Sequence, residues 1–292
     1  MLLVRTCSEL RHVAPRRPIL VPTMGALHDG HASLIRQAVR LSRESGSALG
    51  AAPAPVLVSI FVNPTQFGER DDFSRYPRTL DADLPICEQA GADVVFAPSP
   101  AEIYPAGRTV RIPPLPAVAT QPGLEDAQRP GHFAGVCQVV LRLFELITPG
   151  HAVFGEKDWQ QLQVVRAMTA HERLPIEIVP GATVRESDGL AMSSRNRFLS
   201  PADRRRAGSI VRALRASRDE TSPDLAEACM RDELAAAGIE PDYAVVREAS
   251  TLTRSPHTGP HASFRALIAA RVGPVRLLDN APWGPQSLES GR

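Results

Sequence analysis

Two histidines stand three residues apart in the run Pro22-Thr23-Met24-Gly25-Ala26-Leu27-His28-Asp29-Gly30-His31. Imidazoles donate N–H groups and change charge near neutral pH, so such a pair can follow charge on a phosphate. Gly25 and Gly30 carry no Cβ, which lets a ligand approach the main chain closely. A second group lies in Phe154-Gly155-Glu156-Lys157-Asp158-Trp159-Gln160-Gln161. There Lys157 and Gln161 sit at i and i+4 and are expected on neighbouring parts of one helix face. A lysine at a helix start gains nothing from the dipole, so an external anion is its expected partner, with a salt bridge to Glu156 or Asp158 as the competing reading. In Val184-Arg185-Glu186-Ser187-Asp188-Gly189-Leu190-Ala191-Met192-Ser193-Ser194-Arg195-Asn196, two hydroxyls precede a guanidinium. Ser193 and Ser194 then supply short donors, Arg195 a bidentate phosphate clamp, and Gly189 a place for the loop to fold back.

Amide and acid groups complete the set. In Phe61-Val62-Asn63-Pro64-Thr65-Gln66-Phe67, Gln66 can donate to a carboxylate or hydroxyl and accept from an amine, as a site holding a hydroxy acid and later an amine would require. A plain polar loop glutamine is the alternative reading of that segment. Arg129 and His132 are candidates either for a substrate pocket or for a structural role at a helix entry. Asp81 and Asp83 read as surface helix carboxylates rather than as water-mediated magnesium ligands.

These groups need elements to hold them. Pro18-Ile19-Leu20-Val21 is a short apolar run ending at Pro22, and predicts a buried strand followed by a turn. Leu34, Ile35, Ala38, Val39 and Leu41 recur at helical spacing, so His28 to His31 straddle a first helical turn, where unpaired N–H groups attract anions. Val56 to Val62 predicts a strand covered on both faces, Asp93 to Ala97 and Ala152 to Phe154 predict shorter ones, and helices are expected near 78–90 and 135–148. Strands alternating with helices predict a Rossmann-like, doubly wound parallel sheet of α/β class, with ligands beyond the strands' carboxyl ends. The polar motifs after Val21, Val62 and Phe154 fall there. Ser45 to Pro55 reads as a loose connection, Thr109 to Ile112 as an edge strand or excursion, and Pro113 to Pro130 as irregular.

Character changes near residue 183. Ser200-Pro201-Ala202-Asp203 combines an N-cap serine, an N1 proline and an acid at N3, starting a helix to about 218. Arg204, Arg205 and Arg206 read as its solvated face in preference to a nucleic-acid patch. A helix near 223–237 and strands near 242–247, 264–271 and 274–279 predict a smaller α+β C-terminal domain. The expected division is therefore 1–183 and 184–292, the latter a candidate lid.

Composition narrows the classes. The chain has 292 residues, 43% hydrophobic and 22% charged, enough for a full core. Its net charge of +1 offers no field for nucleic acid or an acidic membrane. No apolar run near the length of a membrane span occurs, and the first residues lack a signal-peptide pattern, so a cytoplasmic protein is expected. Cys7, Cys87, Cys137 and Cys229 form no C-x-x-C pair, and the histidines form no ligand cluster, so no protein-held metal is expected.

The His28-Asp29-Gly30-His31 motif is the His-x-Gly-His signature of the nucleotidyltransferase superfamily. With its flanking Pro22 to Leu27 it resembles the pantothenate synthetase (pantoate–β-alanine ligase) family. The segments Val58 to Phe67, Gly131 to Val136, Phe154 to Gln161 and Val184 to Asn196 follow in family order; Ser45 to Pro55 and the Trp283-containing tail are not supported by motif. The resemblance implies ATP-dependent condensation of pantoate with β-alanine through a pantoyl adenylate, releasing AMP and pyrophosphate. It implies ATP, with Mg²⁺, against Met24, Gly25, Ala26, Leu27, His28, Asp29, Gly30 and His31, against Gly155, Glu156, Lys157 and Asp158, and against Val184, Met192, Ser193, Ser194 and Arg195. It places pantoate on Gln66 and Gln161, with Asn63 and His132 beside them, assigns catalysis to His28, His31, Lys157 and Arg195, and implies a homodimer through the N-terminal domain. A nucleotidyltransferase acting on a phosphorylated substrate, and a non-catalytic nucleotide-sensing or RNA-binding relative, are the competing readings.

Overall fold

The computed structural model describes residues 1–13, 17–49, 52–68, 73–254 and 263–284. They form two compact units, one of Met1–Glu156 with Gln161–Val184, the other of Lys157–Gln160 with 185–292.

The first unit is built on six parallel strands, β1 (Leu2–Val4), β2 (Ile19–Thr23), β3 (Val56–Ile60), β4 (Val94–Phe96), β5 (His151–Gly155) and β6 (Glu177–Gly181), in the order β1-β4-β3-β2-β5-β6. Ile19, Val21, Val56 and Val58 pack in one apolar cluster with Ile35 and Ala38 of α2 (Asp29–Leu49) and Cys87 of α3 (Leu80–Ala90). Leu20 and Leu57 point the opposite way by the period of two, and they too are fully buried, so both faces are covered. With the short helices α1 (Cys7–Val13), α4 (Pro100–Ile103) and α5 (Glu125–Gln128) in the same unit, this is the expected doubly wound architecture. The strand β1 and the edge strand β6 carry weak signals, because one has only three residues and the other contains Pro180 and is poorly buried.

The strand order reverses between β2 and β5, and there the sheet opens. β2 pairs with β3 along Ile19 to Thr23 but with β5 only at Ile19 and Leu20. Pro18 O accepts from Gly150 N on the β5 side, whereas Thr23 O accepts from Phe61 N on the β3 side. Alternation therefore turns the position of Pro22, which has no N–H, toward β5, and the ladder cannot continue. The parting of two neighbouring strands at their carboxyl ends is the crevice expected of this topology.

One expectation is corrected here and another is narrowed. The helix α2 runs on to Leu49, so the segment after Ser45 is helical before it becomes a connection; Gly50 and Ala51 lie outside the described residues. Serine and glycine there cost helix propensity but did not end the helix. Of the two readings of Thr109 to Ile112, the strand is not formed and the excursion remains, with Arg111 making a two-point ion pair with Glu172.

In the second unit, β7 (Pro241–Glu248), β8 (Phe264–Val272) and β9 (Val275–Trp283) form an antiparallel sheet. One face packs on α8 (Pro201–Ala216) and α9 (Pro223–Ala236), burying Ile210, Leu214, Met230 and Leu234 against Ala266, Ile268 and Leu277. Ser200 caps α8 as the sequence predicts, accepting from Asp203 N at 3.1 Å, with Pro201 following. The arginines after it lie on an open helix face, as expected, and two of them find partners there. Arg204 pairs with Glu186 and Asp188, Arg206 donates to the carbonyls of Ala237 and Gly238, and only Arg205 is exposed. Trp283 is buried in β9, its indole N–H donating to Ser217 O at 2.6 Å; the residues after 284 lie outside the described ones.

Candidate active site

The chain leaves β2 at Thr23 and enters α2 at Asp29 through two consecutive left-handed residues, Gly25 at φ 82° and Ala26 at φ 52°. A left-handed alanine costs about 1–2 kcal/mol. Its holder is Asp83, on the first turns of α3, whose two carboxylate oxygens accept from Ala26 N at 3.0 Å and Leu27 N at 2.8 Å. Thr79 Oγ1 adds a third donor at 3.1 Å. Asp83 is only 1% exposed, so the expectation of a surface carboxylate fails. A buried carboxylate must be hydrogen-bonded, and here the demand is met by turning the loop's N–H groups inward. Nothing near residue 25 in the sequence names this partner.

The two histidines cap the helix they begin. His28 Nδ1 accepts from Gly30 N at 3.2 Å, and His31 Nδ1 accepts from His28 N at 3.3 Å, with ring centroids 4.2 Å apart. An accepting Nδ1 leaves the proton of each neutral ring on Nε2. Both imidazoles therefore offer Nε2–H donors at a helix N-terminus, a geometry suited to phosphate oxygens.

Gln66 ties three of the segments together. Its Nε2 donates to Met24 Sδ at 3.1 Å, its Oε1 accepts from Asn63 Nδ2 at 3.2 Å, and its carbonyl accepts from His132 Nδ1 at 2.9 Å. Arg129 donates to His132 Nε2 at 3.2 Å, so the neutral ring carries its proton on Nδ1. Asn63 is 1% exposed and spends its amide on the protein: Nδ2 also donates to Gly135 O at 3.1 Å, and Oδ1 accepts from Tyr104 Oη at 2.7 Å and from Thr65. Tyr104 was not singled out in the sequence; burial raises its phenol pKa, and its hydroxyl orients the Asn63 amide.

The turn bearing Gln66 lies directly on α6 (His132–Ile147). A Cβ at Gly135 would come within 2.3 Å of Thr65 O. Gly135→Ala is accordingly expected to destabilise the chain by about 1–3 kcal/mol and to displace Gln66. Urea unfolding and hydrogen exchange over 63–67 would check it; unchanged exchange there would show that the turn yields without moving Gln66.

In the second unit, Lys157 lies in the 3-10 turn Glu156–Asp158, ahead of α7 (Trp159–His171). The α-helix expected to open at this motif thus begins at Trp159, after the lysine. Lys157 Nζ is 3.6 Å from Asp158 Oδ1, with side chains 23% and 45% exposed. A pair that open to water is weak and exchangeable for a phosphate. Gln161 is partly buried on the first turn of α7.

The serine-arginine turn is framed by charges. Arg185 makes a two-point pair with Asp279 at 2.7 and 2.9 Å. Glu186 accepts from Asn196 Nδ2 at 2.6 Å and from Arg204. Ser193 Oγ accepts from Arg195 N at 3.3 Å and caps the turn Ser194–Phe198, while Ser194 and Asn196 are buried. Asn196, Arg185 and Glu186 thus shape the turn that carries Arg195.

Among the described residues no group of three histidine, cysteine or acidic side chains is placed to hold a metal, and Asp83 is already occupied by N–H donors. Burial pushes the thiols of Cys87 and Cys137 up to about 12. Below that value both stay protonated in the folded chain, so stability should fall as pH rises from about 9, where unfolded thiols ionise. Denaturant titrations at pH 8 and 10 check the sign.

A doubly wound parallel α/β sheet with paired histidines at a helix N-terminus, beside its switch point, is the frame of the site. The chain belongs to the pantoate-beta-alanine ligase family, whose model matches residues 3–282. It is 48% identical over 272 residues to the pantothenate synthetase of a Nocardioides species, covering 90% of this chain and 78% of that one. It is 46% identical to the Thiobacillus denitrificans pantothenate synthetase, over 96% of both chains. The crystal structure of pantothenate synthetase from Thermus thermophilus superposes with a TM-score of 0.87 at 41% identity, over 96% of this chain and 99% of that one. A pantoate-beta-alanine ligase from Francisella tularensis, solved with β,γ-ATP and β-alanine, gives 0.77 at 31% identity over 97% of each.

Proposed function

We propose that this chain joins pantoate to β-alanine at the expense of ATP by way of a pantoyl adenylate. The observation that carries the reading is the Asp83-braced loop with two Nε2–H imidazoles at the start of α2. Gln66 and Gln161 hold the pantoate carboxylate, with Asn63 fixing the Gln66 amide and His132 its carbonyl. One carboxylate oxygen attacks the α-phosphorus, the bond to the bridging oxygen breaks, and pyrophosphate leaves. Lys157, Arg195, His28 and His31 stabilise charge on the phosphate oxygens, His31 through a hydrogen bond donated from its Nε2–H to the leaving pyrophosphate. Met24 to His31, Gly155 to Asp158, Val184 and the Met192 to Arg195 turn line the nucleotide, whose magnesium enters as its counterion. The neutral amine of β-alanine then attacks the acyl carbon, loses a proton and expels AMP.

The division at 183/184 with a C-terminal lid, the homodimer and the cytoplasmic location belong to the same proposal; the change of character near residue 183 supports the first, the family resemblance the second, and the sequence pattern the third. Gel filtration at twice the monomer mass would check the dimer. The first experiment mixes the full chain with Mg-ATP and pantoate, with and without β-alanine, and follows AMP, ADP and pyrophosphate. Pantoate-dependent AMP and pyrophosphate, with turnover requiring β-alanine, support the ligase; nucleotide binding without cleavage supports a sensing relative, and nucleotide transfer onto the product supports the other nucleotidyltransferase reading.

A further inference from the structure

Lys157 to Gln160 group with the second unit although the chain on both sides belongs to the first. The attachment is specific. Asn280 Nδ2 donates to the Lys157 carbonyl at 2.8 Å, and Asn280 Oδ1 accepts from Arg265 Nε at 2.5 Å. The Arg265 guanidinium lies 3.4 Å over the Trp159 ring, and the indole N–H donates to Ala249 O at 2.7 Å. Arg265, Asn280 and Trp159 are all buried, a setting in which cation–π contact and amide bonding gain strength.

The residue before Asn280 holds the other basic element. Asp279 takes the two-point pair from Arg185, at the root of the turn bearing Ser193, Ser194 and Arg195, and Arg185 also donates to Gly189 O at 3.1 Å. Consecutive residues of a strand point to opposite faces. Asp279 shares the helix-covered face with Ile268, and Asn280 lies on the other. One dipeptide of β9 thus grips the lysine segment on one side and the serine-arginine turn on the other.

We propose that Asp279 and Asn280 are positioning residues that set Lys157 and Arg195 in a common frame, so that the two cations meet the triphosphate as one unit. This rests on the reading above, in which those cations attend the transferred phosphate. Asn280 does not touch substrate; it acts through the Lys157 carbonyl, and misaiming a reacting group by an ångström can cost about 100-fold in rate.

The test compares the full chain with Asn280→Ala, Asn280→Asp, Lys157→Ala and the double variant Asn280→Ala/Lys157→Ala. Asn280→Asp keeps an acceptor for Arg265 but no donor for Lys157 O, and serves if the alanine variant folds poorly. Single-turnover pyrophosphate release with Mg-ATP and pantoate is expected to fall about 10- to 100-fold in the Asn280 variants. No further loss is expected when Asn280→Ala is added to Lys157→Ala, because both act on one group. Hydrogen exchange of the ATP-free chain should rise over 157–160 in the Asn280 variants and over 185–196 in Asp279→Asn. Independent, multiplying losses, or unchanged exchange over 157–160, would overturn the proposal. Should the unaltered chain release no pyrophosphate, the ligase reading falls, and the exchange measurement still decides whether the anchor exists.

Discussion

Lys157→Ala is expected to slow pantoate-dependent pyrophosphate release by about 100- to 1,000-fold, the scale of removing one preorganised group from a developing oxyanion. Folding should barely change. The ammonium's ion pair with Asp158 spans 3.6 Å and is open to solvent, and such pairs contribute about 0–1 kcal/mol. The segment's grip on the second unit uses the Lys157 carbonyl, which alanine retains. Rapid-quench assay of pyrophosphate beside urea unfolding separates the two effects. Pyrophosphate release at the original rate would remove Lys157 from the chemistry.

Asp83→Ala should damage stability and chemistry together. Two backbone N–H groups and one hydroxyl lose their acceptor in a buried place, at about 1–3 kcal/mol for each unsatisfied group. The left-handed Ala26 then has nothing to offset its conformation, and the loop that starts α2 relaxes away from its phosphate geometry. The expected result is a loss of about 2–5 kcal/mol in unfolding free energy, with a rise of about tenfold or more in the dissociation constant for Mg-ATP. The milder substitution Asp83→Asn retains the volume but aims an amide donor at one of the N–H groups, so it should restore part of the stability and less of the affinity. Isothermal titration with Mg-ATP checks the binding. Unchanged affinity in a variant that still folds would mean that the loop keeps its shape without the carboxylate.

Much of this protein is determined by short-range signals. Strand-turn-helix punctuation around Pro22 to His31, β-branched runs at Val56 to Val62, and the cap at Ser200 depend on periods of two and 3.6 and on local hydrogen bonding, and they read directly as structure. The doubly wound sheet follows from alternation of those elements. Chemistry-bearing residue types are equally visible, because His28, His31, Lys157 and Arg195 carry it in their side chains. Tertiary structure alone decided what holds them. Asp83 finds Ala26 and Leu27 across more than fifty residues, Asn63 turns out to orient Gln66 from a buried position, and Asn280 reaches Lys157 from the far end of the chain. Each of these bonds serves a backbone or amide group left over when the elements pack, and the partner is selected by proximity in the folded core. Such demands have no sequence period. The same reason explains the partners of Arg204 and Arg206, since Glu186, Asp188 and the carbonyls of Ala237 and Gly238 are brought beside them only by the fold.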